Sequence, residues 1–165
     1  MDLKLAAERD ALVAEIEAAF EGVTREGGKS WRDAEVADFY GDEAFATWID
    51  TDTRWQDLAD DPNWYHASGN GGFCFLDPIG FRYFLPAAMI QAIRSSYNEG
   101  IQFHLTIASD DRREHHLNKV SLLDNRQMQC VRRFIEYMIA VSEAQEQEFE
   151  VDAWREALES YWKQF

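Results

Sequence analysis

The stretch FCFLDPIGFRYFLPAAMI, residues 73–90, decides how the rest of the chain is read. Asp77-Pro78-Ile79-Gly80 meets the preferences of a β-turn, with Asp at the first position, Pro and its preset φ at the second, and Gly at the fourth. The apolar flanks therefore predict a hairpin. Pro86 suits the first turn of a helix, where a missing N–H costs nothing, and Ala87, Met89, Ile90, Ala92 and Ile93 extend an apolar surface from it.

Downstream, Gly100 fits the C-terminal end of that helix. Ile101, Phe103, Leu105 and Ile107 alternate with Gln102, His104 and Thr106, which predicts a third strand with one buried face. SDDRREHH, residues 109–116, reads as a charged turn, and Lys119 to Leu123 as a further strand. Asp124 and Gln127 match a capping box, and Met128, Val131, Phe134, Ile135, Met138 and Ile139 then recur at spacings of three and four. This predicts a helix from Asn125 to about Val141, read as the central core helix. Asp152 to Phe165 places Trp154, Leu158, Tyr161, Trp162 and Phe165 on one stripe, as a closing helix would.

Upstream, Leu5, Leu12, Val13, Ile16 and Phe20 share a helical face, so residues 3–20 read as an amphipathic helix ending before Gly27-Gly28. Ser30 followed by Asp33 starts a second short helix running to about Phe39. Phe45, Trp48, Ile49, Trp55 and Leu58 fall in a segment that suits short helices, and DPNWYHASGNGG, residues 61–72, reads as the longest loop. The expected fold is a single α+β domain over residues 1–165. In it, a small, largely antiparallel sheet of three to four strands is covered by the N- and C-terminal helices.

Charge is distributed unevenly along the 165 residues, whose formal net charge is −15. Residues 1–72 carry 17 acids and 6 bases, against 14 and 10 in residues 73–165. Between Trp31 and Asp61 ten acids (Asp33, Glu35, Asp38, Asp42, Glu43, Asp50, Asp52, Asp57, Asp60 and Asp61) meet only Arg32 and Arg54. A field of that sign repels phosphate backbones and anionic lipid, so direct binding of nucleic acid or membrane is disfavoured and a basic protein is the expected partner. The same charge also serves solubility. No run of about 18 apolar residues is present, and the charged, amphipathic N-terminal stretch is unlike a signal peptide, so a cytoplasmic protein is expected.

Catalytic signatures are weak. Cys74 and Cys130 sit in apolar surroundings and read as small buried hydrophobes rather than a disulfide or a nucleophile. No G-x-S-x-G elbow occurs, and Gly69 to Gly72 lacks the spacing and the Lys of a phosphate-binding loop. Of the four histidines, His104 falls on the polar face of the predicted strand, and His115 with His116 lies in the charged turn. A small metal-dependent hydrolase would have to gather His104, Asp110, Glu114 and His115 around one point. No cofactor or resident metal is called for.

FLDPIGFRYFLPAAMI, FHLTIAS, VSLLDNRQMQCVRRFIEYM and the terminal EALESYWKQF together resemble an uncharacterised bacterial domain-of-unknown-function family. SWRDAEVADFYGDE and DTRWQDL resemble that family's N-terminal helices. The resemblance implies a small α+β fold and no particular activity. Six tryptophans add the last clue, four of them at positions 31, 48, 55 and 64 in or beside the acidic segment. Aromatic anchors with an acidic rim suit a non-enzymatic binder of a basic protein, for instance an immunity or antitoxin-type inhibitor that covers a toxin. Asp57, Asp60, Asp61, Trp64 and Tyr65 are the expected partner-binding residues, with Trp64 and Tyr65 as exposed contacts. A nucleic-acid mimic that blocks a DNA-binding protein would use the same carboxylates.

Overall fold

Among the residues described by the computed structural model, 3–64, 72–95 and 100–165, every regular element is a helix. They run α1 (Leu3–Ala19), α2 (Trp31–Asp38), α3 (Trp55–Ala59), α4 (Gly72–Phe75), α5 (Pro78–Arg94), α6 (Ile101–Leu105), α7 (Arg113–Val120), α8 (Asn125–Ala144) and α9 (Glu148–Ser160). Two 3-10 turns, Glu43–Phe45 and Trp162–Gln164, complete the set. The α+β expectation is therefore wrong: no strand forms among the described residues.

The error begins at Asp77. Its carboxylate accepts the Gly80 N–H at 2.8 Å, and Pro78 occupies the first turn of α5, so Asp-Pro-Ile-Gly is a helix cap and not a hairpin turn. The two motifs want the same residues in the same slots. What separates them is the burial that follows: Phe81, Tyr83, Phe84, Leu85, Ala87, Ala88, Met89, Ile90 and Ala92 are all buried, on every side of the helix. A helix apolar all round belongs at the centre of the core. Hence α5, not α8, is the central helix. Pro86 lies inside it rather than in the first turn, where it cannot donate to the Arg82 carbonyl.

The predicted third strand fails for a related reason. Ile101, Gln102 and Leu105 are buried while Phe103 is 58% exposed, which is helical spacing and not alternation. Gly100, at φ 79°, precedes α6 instead of ending the helix before it. The C-terminus seals α6: Trp162 Nε1 donates to the Leu105 carbonyl at 2.7 Å, and Ser160 Oγ accepts the Ile107 N–H at 3.0 Å. The charged turn expected at 109–116 is a turn only to 112, α7 taking over from Arg113, and the strand expected at Lys119 to Leu123 is instead the last residues of α7 followed by a turn.

The helices started by capping boxes stand, whereas the closing helix expected over Asp152 to Phe165 runs as α9 from Glu148 to Ser160 and is broken at Tyr161 before the last 3-10 turn. Ser30 and Asp33 form a reciprocal capping box at the start of α2, and Asp124 and Gln127 form another on α8. Both α1 and α9 pack on α8, and α1 and α3 pack on α5. Two glycines allow the chain before α2 to cross α5: a Cβ on Gly28 would come within 2.5 Å of Ile79 Cγ2, and one on Gly80 within 2.9 Å of the Lys29 carbonyl oxygen.

Candidate functional site

Helix α2 ends in a way that exposes aromatic surface. Its capping residue, Phe39, is followed by Tyr40 at φ 56° and Gly41 at φ 88°. The Gly41 N–H bonds back to the Val36 carbonyl at 2.9 Å and the Tyr40 N–H to that of Ala37 at 3.2 Å. These are the two bonds of a Schellman motif, whose left-handed position normally holds glycine. Here it holds a tyrosine that is 103% exposed. Phe39 stacks on Phe45 with ring centroids 5.0 Å apart, and both remain exposed, as does Ile49 further along.

The segment carrying these rings is strapped to α2 from below. Glu35, itself buried, accepts the N–H groups of Thr47 at 3.0 Å and Trp48 at 2.8 Å. Arg32 reaches the carbonyls of Ala46 and Trp48 at 3.3 and 3.0 Å, and its own N–H bonds to Asp50. Between Asp33 and Thr53 there is no lysine or arginine, so the segment that carries the aromatic surface holds acids, Asp38, Asp42, Glu43 and Asp50 among them, and no base.

The residues expected to bind a partner are placed differently. Asp57 folds its carboxylate back onto the N–H groups of Thr53 and Arg54 at 3.0 and 3.1 Å. Those bonds, together with the Arg54 guanidinium, hold its carboxyl down to about 2. Asp60 pairs with Arg94 at 2.7 Å, and Asp61 accepts the Asn63 N–H at 2.8 Å. Trp64 is not an exposed contact: it is 3% exposed and packs edge-on against Trp31 at 5.0 Å, within a cluster that adds Phe73 and Phe84. Tyr65 lies outside the described residues. Sequence reading missed Phe39, Tyr40 and Phe45, although the Phe-Tyr-Gly run at the end of a capped helix was the available signal.

For the hydrolase alternative, His104 and His115 do line one pocket, but Glu114 is not part of its wall. Asp110 turns away into a two-pronged pair with Arg112, whose guanidinium holds the Asp110 carboxyl down to about 2. Among the described residues no three His, Cys, Asp or Glu side chains are arranged to hold a metal ion.

An all-helical architecture whose second helix ends in a strapped, exposed aromatic surface defines a class of helical domain rather than an activity. Within that class the family is plain. The chain belongs to the family of unknown function DUF6714, whose pattern matches residues 8–165. No curated protein and no solved structure matches it. Among the described residues no helix is long and apolar enough to cross a membrane.

Proposed function

We propose that this protein is a non-enzymatic acidic binding module, acting in the cytoplasm, that docks on a basic protein through the surface spanning residues 38–50. An immunity or antitoxin-type inhibitor covering a toxin is its concrete form. The observation that carries the reading is Tyr40, a fully exposed aromatic side chain held in a left-handed conformation that disfavours it. The side chain is 103% exposed, so it gains no packing among the described residues to set against that cost. Tyr and Phe anchors ringed by carboxylates suit a cationic surface, because the charges steer encounter while the desolvated rings slow release. In this reading the anchoring role falls to Phe39, Tyr40 and Phe45 rather than to Trp64, with Asp57, Asp60 and Asp61 adding long-range field.

The test is capture from source lysate by the tagged protein and by its Tyr40→Ser/Phe45→Ser variant, at low and high salt. A basic partner held by the first, lost by the second and released by salt supports the reading. Equal retention by both forms, or no partner at either salt, overturns it. Competition by duplex DNA for the captured partner would reassign the protein as a nucleic-acid mimic.

A further inference from the structure

Among the described residues, one cavity of this acidic protein is lined by basic groups. Helices α4, α6 and α7 line a cavity of about 350 Å³ whose wall includes Cys74, His104, Arg112, His115, His116 and Lys119 and, among the described residues, no aspartate or glutamate. Cys74 is exposed and not the buried hydrophobe expected from its neighbours, and its Sγ lies 4.0 Å from His104 Nδ1. The imidazole is oriented by packing against Phe73, with ring centroids 5.4 Å apart. Lys119 is fixed beside them, its ammonium donating to the carbonyls of Phe73 at 2.9 Å and Cys74 at 3.2 Å. An ammonium has three donors, so one remains for a ligand.

The other basic groups contribute less. Arg112 is held in a two-pronged ion pair with Asp110, and His116 accepts the Ala108 N–H on Nδ1 at 3.0 Å, which makes its Nε2 the protonated nitrogen of the neutral ring. Burial, helped by Lys119, His115 and Arg112, keeps His116 below its ordinary value. Burial lowers the Lys119 ammonium from its ordinary value too, but its two carbonyl acceptors hold it in place as the cation that an anion entering beside Cys74 would meet. The chain's second thiol differs sharply: Cys130 is buried in α8, and burial, with Glu15 nearby, pushes its thiol up to about 12.

We propose that this cavity captures a small disulfide bearing carboxylates, and that Cys74 opens it by thiol–disulfide exchange. His104 Nδ1 takes the thiol proton and the thiolate attacks the nearer sulfur. The Cys74–S bond forms as the S–S bond breaks, and the electron pair leaves on the second sulfur, which takes the proton back from His104 and departs as a thiol. The disulfide is the oxidant, so no other co-reactant is needed.

Two aromatic disulfides test this on the folded, full-length chain: the dianionic dithiobis-nitrobenzoate and the neutral dithiodipyridine. Rates are followed by absorbance and the modified residue by peptide mass mapping. A protein of net charge −15 should by its overall field disfavour the dianion. The proposal expects the reverse. One equivalent should add at Cys74, with a dianion-to-neutral rate ratio about tenfold above that of the same chain unfolded in urea. Lys119→Met should return the ratio to the unfolded value while Lys119→Arg retains it, and His104→Asn should slow both probes. A wild-type ratio at or below that of the unfolded chain, or labelling at Cys130 before Cys74, overturns the proposal without need of any variant.

Discussion

Replacing Tyr40 with glycine should make the protein more stable while removing the centre of its proposed binding surface. The side chain is 103% exposed, so truncating it forfeits no packing, and its φ of 56° lies where L-residues are disfavoured. Relief of a left-handed residue is worth about 1–2 kcal/mol, from which glycine's extra unfolded-state entropy subtracts about 0.4–1. The net expectation is a gain of about 0–1.6 kcal/mol, centred at about 0.8, or about 2–3 °C in Tm at that centre for a chain of this size. Glu146 supplies the control. It has the same φ of 56°, is exposed, and ends α8 with the same pair of bonds, Gln147 N–H to Ser142 and Glu146 N–H to Glu143, at 2.9 and 3.1 Å. Tyr40→Gly and Glu146→Gly should therefore stabilise by similar amounts in urea and thermal unfolding. Only the first should weaken partner binding, by about tenfold, as expected for loss of an aromatic anchor. If Tyr40→Gly lowers stability while Glu146→Gly raises it, the tyrosine makes contacts within the fold and is not kept there for a partner.

Other perturbations test the framework beneath that surface. Glu35→Ala removes the acceptor for the Thr47 and Trp48 N–H groups, and because exposed Thr47 can rehydrate, the loss should be about 2 kcal/mol rather than the full value of two charged hydrogen bonds. A loss below about 0.5 kcal/mol in urea unfolding would mean that the strap does not hold the segment. Asp52 is buried and accepts both the Tyr83 hydroxyl at 2.7 Å and Arg25 Nε at 3.0 Å. Asp52→Asn should cost about 3 kcal/mol, the low end for a broken buried pair because the Arg25 side chain keeps 28% of its exposure, and Tyr83→Phe should be non-additive with it. The Asp57 carboxyl is depressed to about 2, so what it contributes is present above the unfolded value of about 3.9 and disappears as pH falls through the folded one. The gap in urea midpoint between wild type and Asp57→Asn should thus be constant above about pH 5 and close toward pH 2, and a gap independent of pH would refute that assignment.

Where a few neighbouring residues settle a conformation, the chain could be read directly. The Ser30–Asp33 and Asp124–Gln127 boxes bond side chain to backbone within one turn, and they start α2 and α8 where the pattern predicts. The apolar spacing in residues 3–20 likewise gives α1. Asp77-Pro78-Ile79-Gly80 could not be resolved in this way, since turn and helix cap make the same local demands. The choice was made by α5 burying all of its faces at the centre of the core. At residues 101–107 the alternation was real in the sequence, but burial of Gln102 and exposure of Phe103 depend on α9 and the C-terminal turn arriving more than forty residues later.

The sites divide along the same line. Acidity between Trp31 and Asp61 is a property of composition and needs no coordinates. Which aromatic rings stand among those acids depends on packing: Trp64 is drawn into the cluster around Trp31, while Tyr40 is left outside by the end of α2. The sequence alone determined the capped helices, the amphipathic faces and the sign of the field, because each is set by nearest neighbours or by a sum over residues. Only the tertiary structure decided helix against strand at Asp77, the burial of Trp64, and the meeting of Cys74 with His104 thirty positions away. Those outcomes follow from long-range burial and contact, which no short window of the chain contains.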